Sequence, residues 1–176
     1  MGAVAKAPSA TIYTIGHSNH SWPKFLDLLQ QHRVDLVVDT RGQPFSRFNP
    51  QFNRERLKES LAGGGIGYLW LGDRLSGRPQ DPTLLDADGK PDWARIATSS
   101  TFVDAIAQVA ALAEKRTAVL CAEEDPRRCH RRFLLTPPLM AQGLSVHHIR
   151  GDGRIEREDE IRAQENARPR QLDLFF

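Results

Sequence analysis

The chain has 176 residues, of which 40% are apolar and 26% charged, an ordinary globular balance for one domain that excludes a fibrous or disordered chain. Its 24 basic and 22 acidic side chains leave a net charge of only +2. Two cysteines are too few for a disulfide scaffold. No apolar run reaches the length of a membrane span, about 18 residues, and residues 1–10 lack the apolar core of a signal peptide. We therefore expect a cytoplasmic protein with reduced thiols.

Strands and helices alternate along the chain. Apolar, β-branched runs predict five strands. They are Thr11–Gly16, Val34–Thr40, Ile66–Leu71, Thr117–Ala122 and Ser145–Ile149. Buried strands separated by helices are typical of a parallel sheet covered on both faces. We therefore predict a single doubly wound α/β domain at residues 11–150, with a mainly parallel sheet of about five strands that winds both ways from the first.

Capping residues place the helices between these strands. Ser21 precedes an early-turn proline, as at a helix N-cap, and Asn53 can cap the next helix. Asp125-Pro126 opens the last one, which Pro137-Pro138 must break or restart, because proline costs about 3 kcal/mol inside a helix. Residues 72–100 show no clear period, and a loop of this length is usually functional or disordered.

The two ends of the chain differ from its middle. Residues 1–10 are predicted to form a flexible N-terminal segment, and residues 151–176 are predicted to form a charged tail that ends in a peptide motif. Twelve of the 21 residues from 150 to 170 are charged. Such a segment buries too little apolar surface to fold alone, so we expect a solvated helix near 155–165.

Polar and titratable side chains follow the strands. Ligands of open α/β sheets bind beyond the carboxyl ends of the strands, so these side chains are expected to meet at one edge of the sheet. They are His17 and Ser18 at the first strand, Asp39, Arg41, Ser46 and Arg47 at the second, and Cys121, Glu123, Arg127, Cys129, His130 and Arg131 at the fourth.

Four motifs lie along the chain in a fixed order: TIGHSN (14–19), VVDTRGQPFSRFNPQFN (37–53), IGYLWLGDR (66–74) and CAEEDPRRCHR (121–131). Together they resemble the domain-of-unknown-function-488 family over about residues 11–150. The resemblance implies a cytoplasmic, mostly prokaryotic α/β domain with no settled activity or substrate. The motif positions that it implies are His17, Ser18, Asp39, Arg41, Pro44, Ser46, Tyr68, Cys121, Glu123, Cys129, His130 and Arg131.

The cysteines have functional and structural interpretations. Cys121 stands at a strand end before a helix N-terminus, where the dipole and nearby arginines favour a nucleophilic thiolate; the alternative is a small buried core residue. Cys129 can face Cys121 as a redox pair or metal ligand. A structural zinc needs four ligands, and the two cysteines would meet His130 and His17 only by a geometrical accident. We therefore expect no metal and no cofactor.

The histidines can act as general acids or bases near neutral pH, or each can be hydrogen-bonded to structure. Asp39 and Arg41 form either an ion pair that braces the loop or a site in which Asp39 orients a histidine or a substrate hydroxyl and Arg41 holds an anion. The candidate catalytic residues are His17, Asp39, Cys121, Glu123 and His130.

Several arginines are candidates for a phosphate site. Arg127 and Arg131 at a helix start suit an anion docked there, together with Arg41 and Arg47. The alternative is local neutralisation by the acidic run 123–125. The candidate substrate-binding residues are Ser18, Arg41, Ser46, Arg47, Tyr68, Arg127, Cys129 and Arg131.

The loop of residues 41–52 carries three phenylalanines. Phe45, Phe48 and Phe52 are interleaved with arginines, a pattern typical of loops that stack on bases and follow a nucleic-acid backbone. The alternative is a loop that its phenylalanines pin to the core.

The chain ends in an apolar pentapeptide, QLDLF, behind the charged tail. Short motifs on tails of this kind dock into grooves of partner proteins. QLDLF is similar to the peptide that bacterial polymerases and repair proteins insert into the DNA sliding clamp. Leu172, Leu174 and Phe175 would fill the apolar pocket and Gln171 would hydrogen-bond; the alternative is a tail that folds back.

These observations favour a DNA repair or nucleic-acid-processing protein that its tail recruits to the sliding clamp, with nucleic acid or a nucleotide as ligand. As an enzyme it would be a hydrolase or lyase. The alternatives are a thiol-dependent enzyme of small-molecule or nucleotide metabolism and a non-catalytic DNA-binding adaptor.

Overall fold

The computed structural model describes residues 10–167. Within them, six strands form one sheet. They are β1 (Thr11–Gly16), β2 (Leu36–Asp39), β3 (Gly67–Trp70), β4 (Thr117–Cys121), β5 (Ser145–Ile149) and β6 (Ile155–Arg157). The sheet order is β3-β2-β4-β1-β5-β6, and all pairs are parallel except β5 with β6. The predicted α/β class and mainly parallel sheet are confirmed, with a sixth strand in addition.

Seven α-helices lie in the described part of the chain. They are α1 (Trp22–Gln31), α2 (Arg54–Gly63), α3 (Gly72–Leu75), α4 (Trp93–Thr98), α5 (Ser100–Ala111), α6 (Thr136–Ala141) and α7 (Glu158–Ala167). Ser21 caps α1 by accepting from the backbone N–H of Lys24, as its sequence predicts. Pro137 and Pro138 lie in the first turn of α6, where a missing N–H leaves no helical bond unmade. The segment 72–100 holds α3 and α4 rather than one open loop.

Helices cover both faces of the sheet. On one face, α1 and α2 contribute Phe25 and Leu57 to a core cluster. On the other face, α5 and α6 contribute Phe102, Ile106 and Leu139. Successive strand residues point to opposite faces, and both sides are buried, which explains why the strands read as nearly continuous apolar runs.

The sheet order brings the ends of three strands together. β4 lies between β2 and β1, with Gly16 paired to Cys121 and Asp39 to Leu120. The carboxyl ends of β1, β2 and β4 are therefore adjacent at one edge. Gly16 is required there, because a Cβ at this position would lie 1.7 Å from the carbonyl oxygen of Glu123.

The charged segment after residue 150 packs against the domain, which differs from the solvated arm expected from its composition. β6 pairs antiparallel with β5, and Glu158 at the start of α7 is buried. Its carboxylate binds His148, Arg132 and Arg162. The physical reason is that these charges have buried partners, so the segment needs little apolar surface of its own to stay in place.

The tautomer of His148 follows from its two partners. Its Nε2 lies 3.0 Å from the Glu158 carboxylate and its Nδ1 lies 2.7 Å from the hydroxyl of Thr14. Burial lowers the pKa of His148, so the ring is neutral at neutral pH. A carboxylate can only accept, so Nε2 donates to Glu158 and Nδ1 accepts from Thr14.

None of the helices within residues 10–167 combines the length and apolar character that crossing a bilayer requires.

Candidate functional site

A cavity of about 1060 Å³ opens at the carboxyl ends of the strands. Its wall combines the turn after β1, the loop after β2, the segment from α3 to residue 84, and the loop after β4. Five predicted site residues line it: His17, Ser18, Arg41, Ser46 and Glu123. The convergence of separate chain segments at one sheet edge, which the strand ends predict, is present.

Asp39 is fully buried at the end of β2. It accepts two hydrogen bonds from the Arg41 guanidinium, at 2.9 and 2.7 Å, and one from the Tyr68 hydroxyl at 2.8 Å. Burial and the Asp39 carboxylate raise the pKa of Tyr68 well above its usual range. These contacts favour an ion pair that stabilises the loop over a catalytic role for Asp39, because both of its carboxylate oxygens already accept hydrogen bonds.

His17 is the candidate base that faces the cavity. Its ring stacks on Phe52 with centroids 4.5 Å apart, and its Nδ1 lies 2.7 Å from the carbonyl oxygen of Ser18. Because a carbonyl only accepts, Nδ1 donates and Nε2 carries the lone pair. Burial, and then the Arg41 guanidinium, lower the pKa of His17 to about 4. The ring is thus neutral at neutral pH, and it is a weaker base than an ordinary histidine.

Cys121, Cys129 and His130 form a compact cluster. The two sulfurs are 2.8 Å apart, and Nδ1 of His130 lies 3.6 Å from the sulfur of Cys121 and 3.8 Å from that of Cys129. Both thiols are free and buried, with 5% and 3% of their residue surface exposed. Three of the four side chains that a shared metal site would need therefore lie together.

The cluster favours one thiolate. A hydrogen bond from Cys129 lowers the pKa of Cys121 against the effect of burial, while the same bond and burial raise the pKa of Cys129. A thiolate beside an imidazole can serve as a nucleophile, and two sulfurs with an imidazole can serve as metal ligands. His17 takes no part, because it stacks on Phe52, which belongs to the core of the opposite sheet face.

A family model described as domain of unknown function DUF488 matches residues 21–136. The chain belongs to this family. Searches of curated proteins and of solved structures each found no match. The matched range of DUF488 includes Asp39, Tyr68 and the whole thiol cluster, whereas His17 lies just before it.

Most of the four arginines of the predicted phosphate site have protein partners in this DUF488 domain. Arg131 is fully buried and donates to the main-chain carbonyls of Glu123 and Glu124. Arg127 pairs with Glu156 at 2.9 Å, so its charge is locally neutralised. Glu156 comes from β6 and is distant in sequence, whereas Asp125, which lies 3.7 Å from the same Arg127 nitrogen, belongs to the acidic run 123–125 of the alternative interpretation.

The loop after β2 buries one of its three phenylalanines and exposes the other two to solvent. Ser46 accepts from the backbone N–H groups of Phe48 and Asn49 and therefore stabilises the turn. Phe52 is buried, but Phe45 and Phe48 are 72% and 86% exposed. Arg47 is exposed beside Phe48, with its guanidinium 5.9 Å from the ring centre. The loop is thus anchored by one phenylalanine and exposes two.

Much of the cavity wall comes from residues that the sequence did not single out. Ser76, Arg78, Asp81 and Leu84 line it, and all come from the segment that showed no clear period. Its length was the signal, because long irregular segments in compact domains are usually functional. The tail residues Gln171, Leu172, Leu174 and Phe175 lie outside the described residues.

Proposed function

We propose that this DUF488 domain binds nucleic acid or a nucleotide at the strand-end cavity and works in DNA repair or processing, recruited to the sliding clamp by its tail. The observation that carries the binding proposal is the exposure of Phe45 and Phe48 beside the cavity. Aromatic faces held in water by an ordered loop are the platforms on which unpaired bases stack. Arg47, between them, supplies a charge for the backbone.

The loop is ordered enough to hold these rings in place. Asn53 accepts from the backbone N–H of Ser46 at 2.7 Å, and Phe52 packs between His17 and Phe25. The anchor and the two exposed rings therefore belong to one short segment that these contacts hold against the domain. An exposed phenylalanine on such a segment loses little conformational freedom when it stacks on a ligand.

The cavity wall carries both signs of charge. Arg74 and Arg78 lie on it together with Asp73, Asp81 and Glu123. A mixed wall suits the donor and acceptor edges of a base better than it suits a phosphate, so the phosphates are expected near Arg47, outside the cavity. The neutral His17 ring, with its lone pair on Nε2, would accept a hydrogen bond from the bound ligand, and it would act as a general base only where the ligand raises its pKa toward neutral pH.

Replacing both Phe45 and Phe48 with alanine is expected to weaken binding of single-stranded DNA about 30-fold or more, because base stacking contributes about 1–3 kcal/mol per base. Fluorescence anisotropy of a labelled oligonucleotide at fixed low salt measures the change. Phe133→Ala is the matched control, because Phe133 is half exposed and lies outside the cavity wall. Equal affinity of the double variant and the wild type contradicts the proposal.

The clamp proposal makes a separate prediction for the tail. In the full chain, Leu174→Ala with Phe175→Ala is expected to weaken binding to a purified bacterial sliding clamp by about 2 kcal/mol or more, because apolar anchors dominate such interfaces. Calorimetry measures it, and Arg168→Ala serves as the control. Micromolar or tighter binding of the wild type supports recruitment; a wild-type chain that does not bind the clamp shows that it is wrong.

A further inference from the structure

We propose that Cys121, Cys129 and His130 bind one Zn²⁺ ion. The proposal does not depend on the nucleic-acid role, and it departs from the expectation that these side chains would not meet and that no metal is bound. Among the residues described, these three side chains form the group of cysteine, histidine and carboxylate ligands that could hold a metal ion, with their ligand atoms within 4.8 Å of one another.

The distances fit a tetrahedral centre with one adjustment. Bonds of about 2.3 Å to sulfur and 2.0–2.1 Å to nitrogen place a sulfur and a nitrogen on one zinc about 3.6 Å apart, and two sulfurs about 3.8 Å apart. The observed sulfur–nitrogen distances are 3.6 and 3.8 Å. The two sulfurs, at 2.8 Å, would have to separate by about 1 Å, which is a small rotation of two short side chains.

In the described part of the chain, the polar contacts found for the His130 imidazole are those with the two cysteine sulfurs. Its Nε2 is buried without a partner, and its Nδ1 contacts the two sulfurs. Buried polar nitrogens normally bond to oxygen or nitrogen. The ring instead directs Nδ1 at both sulfurs, which places all three ligand atoms where one metal ion could contact them.

The backbone preorganises the three side chains. Cys121 is fixed at the end of β4, in register with Gly16. The N–H of Cys129 donates to the carbonyl of Pro126, and the carbonyl of Cys129 accepts from Arg132. Gly77 packs against His130 so closely that a Cβ there would lie 2.7 Å from the His130 Cβ. These contacts fix the ligands before any ion arrives, which lowers the cost of binding it.

The donor set selects the ion and leaves one position open. Two thiolates and an imidazole are soft to borderline ligands that suit Zn²⁺ and not Mg²⁺ or Ca²⁺. Three protein ligands leave the fourth tetrahedral position for a water molecule or an exogenous ligand. The elements next to the cluster, residues 122–124 and Ser76, line the cavity, so that position lies near the proposed ligand site.

The test uses the full chain, purified with reductant and without oxygen. Elemental analysis after loading and dialysis is expected to find one equivalent of zinc, and titration with Co²⁺ to give a thiolate-to-cobalt charge-transfer band. Cys129→Ser and His130→Ala are expected to lose both signals, with folding checked by circular dichroism. His147→Gln is the matched control, because it removes an imidazole from the middle of β5.

Alkylation of the wild type keeps the proposal testable if the variants do not fold. Zinc is expected to slow the reaction of both thiols with iodoacetamide, and a chelator to restore it. No zinc uptake by the reduced chain, alkylation that zinc leaves unchanged, or a wild type without the cobalt band shows that the proposal is wrong. An intact mass that reports a disulfide in the reduced preparation also contradicts it.

Discussion

Replacing Asp39 with asparagine is expected to lower the free energy of unfolding by about 3–5 kcal/mol, because the change leaves the Arg41 guanidinium without its buried counter-charge. Asp39 is completely buried and Arg41 is nearly so. Asparagine preserves the size of the side chain, so the loss reports on charge rather than on a cavity. Urea unfolding followed by circular dichroism measures it.

Tyr68→Phe provides a graded control. It removes one hydrogen bond to the same carboxylate and leaves the ion pair in place, so the expected loss is about 1.5 kcal/mol. If Asp39→Asn costs no more than Tyr68→Phe, the brace interpretation is wrong, and Asp39 would be available for the catalytic role that its position also suggested.

Replacing Glu158 with glutamine is expected to lower the free energy of unfolding by a similar amount, about 3–5 kcal/mol, and to release α7 from the sheet. The buried carboxylate joins His148 of β5 to Arg132. Loss of helical circular dichroism and faster hydrogen exchange in residues 158–167 measure the release. Asp159→Asn is the matched control, since its pair with Arg157 is solvent-exposed and surface pairs contribute at most about 1 kcal/mol.

The same carboxylate predicts a dependence on pH. Burial alone would raise the pKa of Glu158, but hydrogen bonds from His148 and the two arginines outweigh burial and lower that pKa to about 2. Its stabilising contribution is therefore present above the ordinary pKa of 4.5 and is lost as the pH falls toward 2. The stability difference between wild type and Glu158→Gln is expected to stay constant from neutral pH down to about 4.5 and to narrow as the pH falls from there toward 2. A difference that does not narrow over that acidic range contradicts this account.

The regular elements were predictable because they depend on neighbours along the chain. Alternating and continuous apolar runs predict β1 to β5, and Ser21 predicts the start of α1, since caps and side-chain periodicity act over a few residues. The family was predictable for a similar reason, because its motifs are short contiguous segments. β6 was not predicted, and α7 was predicted only as a solvated helix near 155–165, because their charged residues depend on partners such as His148 and Arg132.

The sequence by itself determined the α/β class, the five strands β1 to β5 and the sheet edge at which polar side chains gather. Only the tertiary structure decided which side chains meet. Local sequence pattern does not specify that β4 lies between β2 and β1. This strand order places Cys121 beside the turn that carries Cys129 and His130. His17 instead stacks on Phe52, on the opposite face of the sheet. The strand order also pairs Arg127 with Glu156, because contacts between distant residues follow from sheet order and packing rather than from spacing along the chain.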